Sequence, residues 1–210
     1  MRAISPVRLI AILAAGLLEG PTLAQPAAGL ANADPASVQA GAYVLEPIHT
    51  RVLFAVSHLG FTTWYGDFSG ATGSLVLDRG NPAASHVEVN LPIGSVSTTN
   101  ALLDSELKGA EWFDAGKWPQ AVFKSRKVTM TAPGRAVIDG ELTLHGVTAP
   151  LTLEARFNGA GVDPFDKAYT VGFDAVGRLK RGDYGVSKYL PLVGDEVSLV
   201  ISAAFVRKPG

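Results

Sequence analysis

HVEVNLPI, residues 86–93, alternates without a break: Val87, Val89, Leu91 and Ile93 share one face, while His86, Glu88, Asn90 and Pro92 share the other. Seven segments like it follow or precede. Leu151, Leu153, Ala155 and Phe157 oppose Thr152, Glu154 and Arg156 in the same way. Each such strand has one dry face and one wet face, the pattern of antiparallel sheets covered on one side only. The alternation places eight strands at roughly 49–58, 65–78, 85–97, 120–130, 135–145, 147–158, 168–179 and 196–207. Turn chemistry separates them at Arg79-Gly80-Asn81-Pro82, Ala132-Pro133-Gly134 and Val193-Gly194-Asp195. With no βαβ crossovers, eight such strands make a closed barrel or a two-sheet sandwich.

One stretch breaks the period. In LLDSELKGAEWF, residues 102–113, Leu103, Leu107 and Ala110 recur at helical spacing, which predicts a short helix between the third and fourth strands. Thr98 or Thr99 is its expected N-cap. Its apolar side, with Trp112 and Phe113, either closes one mouth of a barrel or packs outside a sandwich, and the pattern alone fits both.

The N-terminus is different in kind. Arg2 and Arg8 precede the apolar run LIAILAAGLL and a small-residue site at Thr22-Leu23-Ala24, so residues 1–24 are expected to be a secretory signal peptide, with Ala28 as an alternative cleavage position. The run is about half the length a spanning helix needs. Residues 25–42, Ala-rich with Pro26 and Pro35, are expected to form a flexible leader, and residues 43–208 a single domain. Without residues 1–24 the chain has 16 basic and 18 acidic residues, a formal charge of −2, which excludes a nucleic-acid partner on charge grounds. The chain has no cysteine, so neither a disulfide nor a thiol nucleophile is available.

Catalytic signatures are missing. There is no nucleophile elbow and no phosphate-binding Gly-rich loop before a helix. His49, His58, His86 and His145 fall in no metal-ligand spacing, so no metal site is expected. Asp104 and Lys108 at i, i+4 predict a solvated helix face. In LKRGDYGV, Arg181 and Asp183 lie two apart, an ion pair at a rim or a clamp for a polar head group. Aromatic residues, among them Phe54, Phe61, Trp64, Phe68, Trp112, Phe113, Trp118, Phe123, Phe173 and Tyr184, either fill a small barrel or line a ligand channel in it.

Five ordered motifs bear a resemblance that covers residues 43–206: YVLEPIHTRVLFAVSHLGF, the GDFSG turn, SVSTTNALLDSEL with EWFDAGKWPQAVFKS, GELTLHGVTAPLTL, and LKRGDYGV with VGDEVSL. Together they resemble the YceI-like family of polyisoprenoid-binding, lipocalin-like secreted bacterial proteins. The resemblance implies an all-β, extended eight-stranded antiparallel barrel, a periplasmic location, no catalysis and no cofactor besides a bound isoprenoid lipid. It places His49, His58, Asp104, Leu107, Phe113, Asp114, Arg181, Asp183 and Gly185 at motif positions, with Glu46 where Asp is usual and Tyr184 where Phe is. A prenyl quinone or prenyl phosphate, or a similar long-chain lipid, is then expected in an apolar channel. Because each buried CH₂ contributes about 0.8 kcal/mol, the tail alone supplies affinity. The channel residues expected are Phe54, Val56, His58, Val89, Leu91, Phe123, Leu142, Leu144, Phe173 and Leu199, sealed by Leu103, Leu107 and Phe113, with Arg181, Asp183 and Tyr184 at the mouth. Two other readings stand beside this one: an enzyme acting on such a lipid with His58 or Asp183 as acid or base, and an accessory module that presents quinone to the membrane or a membrane cytochrome. Monomer and homodimer are equally open.

Overall fold

Alternation becomes strand along almost the whole domain. The structure, a computed structural model, describes residues 29–208, so the expected signal peptide and both cleavage positions lie outside the described residues. Among the described residues the strands are β1 (Gly41–His58), β2 (Thr62–Phe68), β3 (Thr72–Leu77), β4 (His86–Pro92), β5 (Gln120–Ala132), β6 (Arg135–Leu144), β7 (Val147–Val162), β8 (Tyr169–Lys180) and β9 (Val193–Arg207), with one α-helix, α1 (Ala101–Lys108). All pairings are antiparallel, and β1 pairs back onto β9 from Tyr43↔Arg207 to His58↔Val193. That seam closes the sheet on itself and settles the choice of barrel over sandwich.

The nine strands fill eight positions. β3 pairs with the start of β1, Gly41↔Leu77 to Val44↔Ser74, and β2 with its second half, Val52↔Phe68 to His58↔Thr62. The strand expected over 65–78 is therefore one position interrupted at Ser69-Gly70-Ala71, where Gly70 takes φ 67°, a backbone that favours glycine. β2 is left with a free edge. Among the described residues its backbone pairs beyond β1 only with Ser97, whose N–H and carbonyl exchange bonds with Asp67 at 2.9 and 2.8 Å.

Two further boundaries differ from the sequence pattern. β4 stops at Pro92 and residues Ile93–Ser95 turn as a 3-10 helix, so Ile93 ends the alternation without continuing the strand. β1 starts eight residues earlier than alternation indicates, because a bulge between Glu46 and Arg51 resets its phase. The bulge is held from within. Glu46 accepts from the N–H groups of Ile48 (2.9 Å) and His49 (2.7 Å), and buried Thr50 donates to the Glu46 carbonyl (2.6 Å) while accepting from Ala204 N (3.2 Å).

The dry faces named from the sequence do point inward. Val87, Val89, Leu91, Leu151, Leu153, Ala155 and Phe157 all line the interior, while Glu88 pairs outside with Lys124 (3.1 Å) and Thr152 donates to Asp139 (2.8 Å).

Residues 29–42 are not a loose leader. Asn32 pairs with Ala160 on the stretch of β7 that outruns β6, Pro35–Ser37 form a 3-10 turn capped by Asp34, and Val38 is buried beside Tyr43, Leu45 and Phe205. Arg79 donates to the Ala36 carbonyl (3.0 Å), tying this strap to the β3–β4 connection. The strap floors the barrel at the end opposite α1.

Candidate functional site

Helix α1 begins at a cap the sequence pattern did not select. The Asn100 side chain accepts from Leu102 N (3.1 Å) and Leu103 N (3.2 Å), correcting the expectation of Thr98 or Thr99. Thr98 instead donates its N–H (2.6 Å) and hydroxyl (2.7 Å) to Asp104. Those bonds, the hydroxyl's first, hold the Asp104 carboxyl below its ordinary value, so Asp104 braces the helix start beyond simply facing solvent. The helix ends at Lys108; Trp112 and Phe113 belong to the turns that follow, with Phe113 N bonded to Leu107 O (3.1 Å).

α1 lies across one barrel mouth. Leu107 and Trp112 are buried with Phe68, Ile93, Val96, Ala121, Leu144, Tyr184 and Val186, and Phe113 meets Phe68 edge-on at 5.8 Å between ring centroids. Polar ties fix the mouth to its neighbours. Trp112 Nε1 donates to Glu106 (3.0 Å), and Lys188 reaches both Glu111 (2.6 Å) and Glu106 (3.4 Å) from the loop before β9. The bond to Glu111 leads the raising of the Lys188 pKa.

Between the lid and the strap runs a cavity of about 990 Å³. All thirteen residues named from the sequence for the channel line it: Phe54, Val56, His58, Val89, Leu91, Leu103, Leu107, Phe113, Phe123, Leu142, Leu144, Phe173 and Leu199. The barrel is thus hollow as well as aromatic. Trp64 and Phe68, which the sequence marks only as aromatic, line it too, as do Trp112, expected on the apolar side of the helix, and Pro35, Ala36 and Val38 of the strap. The strap residues were out of reach of pattern reading, since a three-residue 3-10 turn has no period.

The mouth trio behaves differently, and the structure corrects it. Residues 181–184 form a 3-10 turn in place of an extended segment. Arg181 is buried and gives Nε to Gly194 O, Nη1 to Val186 O and Nη2 to Val193 O, each at 2.8 Å, with its guanidinium over the Trp112 ring at 5.3 Å. Burial pulls its pKa down, with Asp195 opposing. Asp183 is exposed and Tyr184 is buried behind the wall; neither lines the cavity, so the three do not form one clamp. Burial raises the Tyr184 phenol's pKa.

His58, half-buried at the end of β1, lines the channel near α1, its ring 5.6 Å from that of Trp64. Of the other histidines, His86 lines the cavity at the start of β4, His49 sits on the β1 bulge against Glu46 (2.8 Å), and His145 lies against the Tyr184 carbonyl (3.2 Å). Among the described residues no three His, Cys, Asp or Glu side chains gather to hold a metal ion, and no helix is long and apolar enough to cross a membrane.

The motifs, the closed barrel and its apolar channel agree with a comparison against known families, in which the model described as "YceI-like domain" matches residues 43–205. This chain belongs to the YceI-like family. Among relatives of the YceI-like protein, a UPF0312 protein of Yersinia enterocolitica is 40% identical over 162 residues, 77% of this chain and 83% of that one. A UPF0312 protein of Azotobacter vinelandii is 39% identical over 189 residues, covering 89% and 98%. Of solved structures, the Campylobacter jejuni YCEI protein matches 73% of this chain and 90% of its own at 25% identity and TM-score 0.64. Two more distant structures show the same fold: Burkholderia cenocepacia BcnA (21% identity, TM-score 0.68, 76% and 98% covered) and a polyisoprenoid binding domain from Saccharophagus degradans (11% identity, TM-score 0.62, 81% and 100% covered).

Proposed function

We propose that this YceI-like protein is a periplasmic, non-enzymatic carrier that holds an isoprenoid or similar long-chain lipid, a prenyl quinone or prenyl phosphate, in its channel. The observation that carries the reading is the cavity itself: about 990 Å³ inside a closed barrel, walled by aliphatic and aromatic side chains from every strand position, with the strap at one end and α1 at the other. An apolar tail gains about 0.8 kcal/mol per buried CH₂ there with no specific polar contact. The fold that the Saccharophagus degradans polyisoprenoid binding domain shares with this chain supports the same ligand class. The head group lies at the α1 end, where His58 faces the channel and the Arg181 guanidinium adds positive potential although its donors serve carbonyls. No other cofactor is proposed, and the His58 ring lies against that of Trp64 at 5.6 Å.

Native mass spectrometry of the protein recovered from the periplasm, with organic extraction of what it releases, tests the proposal. A stoichiometric prenyl lipid is expected. Protein that is empty, and stays empty when offered prenyl quinones and prenyl phosphates, overturns it.

A further inference from the structure

The α1 end carries an apolar rim that the fold does not use. Phe61 (85% exposed) stands in the β1–β2 turn and Leu102 (85%) on the first turn of α1, with Leu59, Tyr65, Tyr189 and Leu192 also exposed. Single exposed apolar side chains are ordinary, but a set gathered at one opening marks a contact surface. These segments are joined. Leu59 N bonds to Leu192 O (2.8 Å), the Tyr189 and Trp112 rings meet at 6.0 Å, and the Asp67–Ser97 bridge pins the approach to α1 against β2.

Three observations say what the rim meets. Residues 59–65 and 99–103 contain no Asp, Glu, Lys, Arg or His, and residues 186–193 contain only Lys188, already held by Glu111 and Glu106. These segments carry no cation besides the paired Lys188, and the acids that hold it, Glu106 and Glu111, leave the rim net negative, so anionic lipid finds nothing there to attract it. Next, Leu59 sits at φ 55° beside Gly60 at φ 72°, with open space around Gly60. That is an unfavourable backbone for leucine at a tip where asparagine or glycine fits without strain. Finally, Tyr65 and Tyr189 belong both to the rim and to the cavity lining, so the channel reaches the surface between the free edge of β2 and α1.

We infer that this end seats on an uncharged or zwitterionic lipid bilayer: Leu59, Phe61, Leu102 and Leu192 enter the boundary between head groups and acyl chains, Tyr65 and Tyr189 stay at head-group level, and the channel opens onto lipid. An apolar ligand then passes between bilayer and barrel without crossing water. That transfer rests on the lipid-carrier reading; the seating does not.

The chain lacks cysteine, so Phe61→Cys, Leu102→Cys and, at the opposite end, Phe165→Cys (93% exposed in the native protein) each give a single site for an environment-sensitive nitrobenzoxadiazole dye. The protein is recovered from the periplasmic fraction with its N-terminus read by mass spectrometry, then mixed with phosphatidylcholine vesicles. Dyes at 61 and 102 are expected to brighten and shift to the blue, unchanged in high salt, while the dye at 165 stays as in buffer. Phe61→Asp with Leu102→Asp is expected to weaken vesicle flotation roughly tenfold or more, since both side chains lose an apolar contact. No response at 61 and 102, an equal response at 165, or binding that needs anionic lipid and vanishes in salt overturns the seating; the first outcome leaves the rim to a protein partner. Uptake of a prenyl quinone from cyclodextrin is measured on the same double variant, neither of whose residues lines the cavity, and is expected to be unchanged. Failed uptake with intact flotation counts against the carrier reading alone.

Discussion

Replacing Arg181 with Met keeps most of the aliphatic stem and removes three donors at once. The guanidinium is 5% exposed, and its bonds to Gly194, Val186 and Val193 carbonyls join the turn after β8 to the start of β9. Each hydrogen bond from a charged donor contributes roughly 1.5–3 kcal/mol net, and each carbonyl left dry without a donor costs about 1–3 kcal/mol. Relief of the buried charge's own desolvation, worth several kcal/mol, works in the other direction. The balance is an expected loss of about 3–5 kcal/mol, the range seen when one member of a buried charged network is removed. At roughly 2–4 °C per kcal/mol for a domain of this size, the thermal midpoint falls by about 10–15 °C. Thermal melts and urea titrations followed by circular dichroism measure it. Arg181→Lys keeps the charge but not the planar fork, and falls between. A loss below about 1 kcal/mol for Arg181→Met would refute the reasoning, and unchanged stability with weakened lipid binding would show that the side chain is a head-group clamp after all.

Three further outcomes follow from the channel, the lid and the β1 bulge. Ala175, buried in the wall, lines the cavity; Ala175→Trp is expected to narrow it and lower lipid occupancy by native mass spectrometry while the far-ultraviolet spectrum stays native. Leu103→Asp, on a half-buried lid position, is expected to speed lipid release several-fold with little change in stability, whereas Leu107→Asp, 7% exposed, is expected to destabilise the fold by about 3 kcal/mol or more. Burial raises the Glu46 carboxyl, but the His49 and Ile48 N–H groups and the His49 ring outweigh it and leave the pKa below the ordinary 4.5. A carboxylate held low stabilises the fold above that value and ceases to as pH falls through its folded pKa. Glu46→Gln is therefore expected to be less stable than wild type at neutral pH, with the gap closing below about pH 4.5, as urea midpoints across pH would show.

Strand alternation is a local signal, and it exposed the barrel walls residue by residue: Phe54, Val56 and His58 follow period 2 on β1, and each faces the channel. The same logic failed where the period is interrupted. It joined β2 to β3 across Gly70, because three residues of coil inside a run leave the alternation looking whole, and it began β1 late because the Glu46 bulge shifts the phase. The mouth failed for another reason. Arg181 and Asp183 would share a face only in extended chain, and the 3-10 turn sends Arg181 inward to the carbonyls while Asp183 stays in water. Those carbonyls belong to residues up to thirteen positions away, which no spacing rule encodes. The strap was missed because its Pro and Ala residues look like linker composition, and its order comes from β7 and Arg79, over a hundred and over forty residues on.

The seam between β1 and β9 has a kinetic consequence. Tyr43 pairs with Arg207 and Val44 with Val206, so the bonds that close the barrel join the first strand to the last. Contacts of such separation put the chain among slow-folding topologies, in which loop-closure entropy is met before the sheet gains from closing. Until β9 is in place the future channel wall is an open apolar sheet with two bare edges, the form most exposed to aggregation. A chain built this way has no enclosed interior until its last fifteen strand residues have emerged from whatever tunnel makes or moves it.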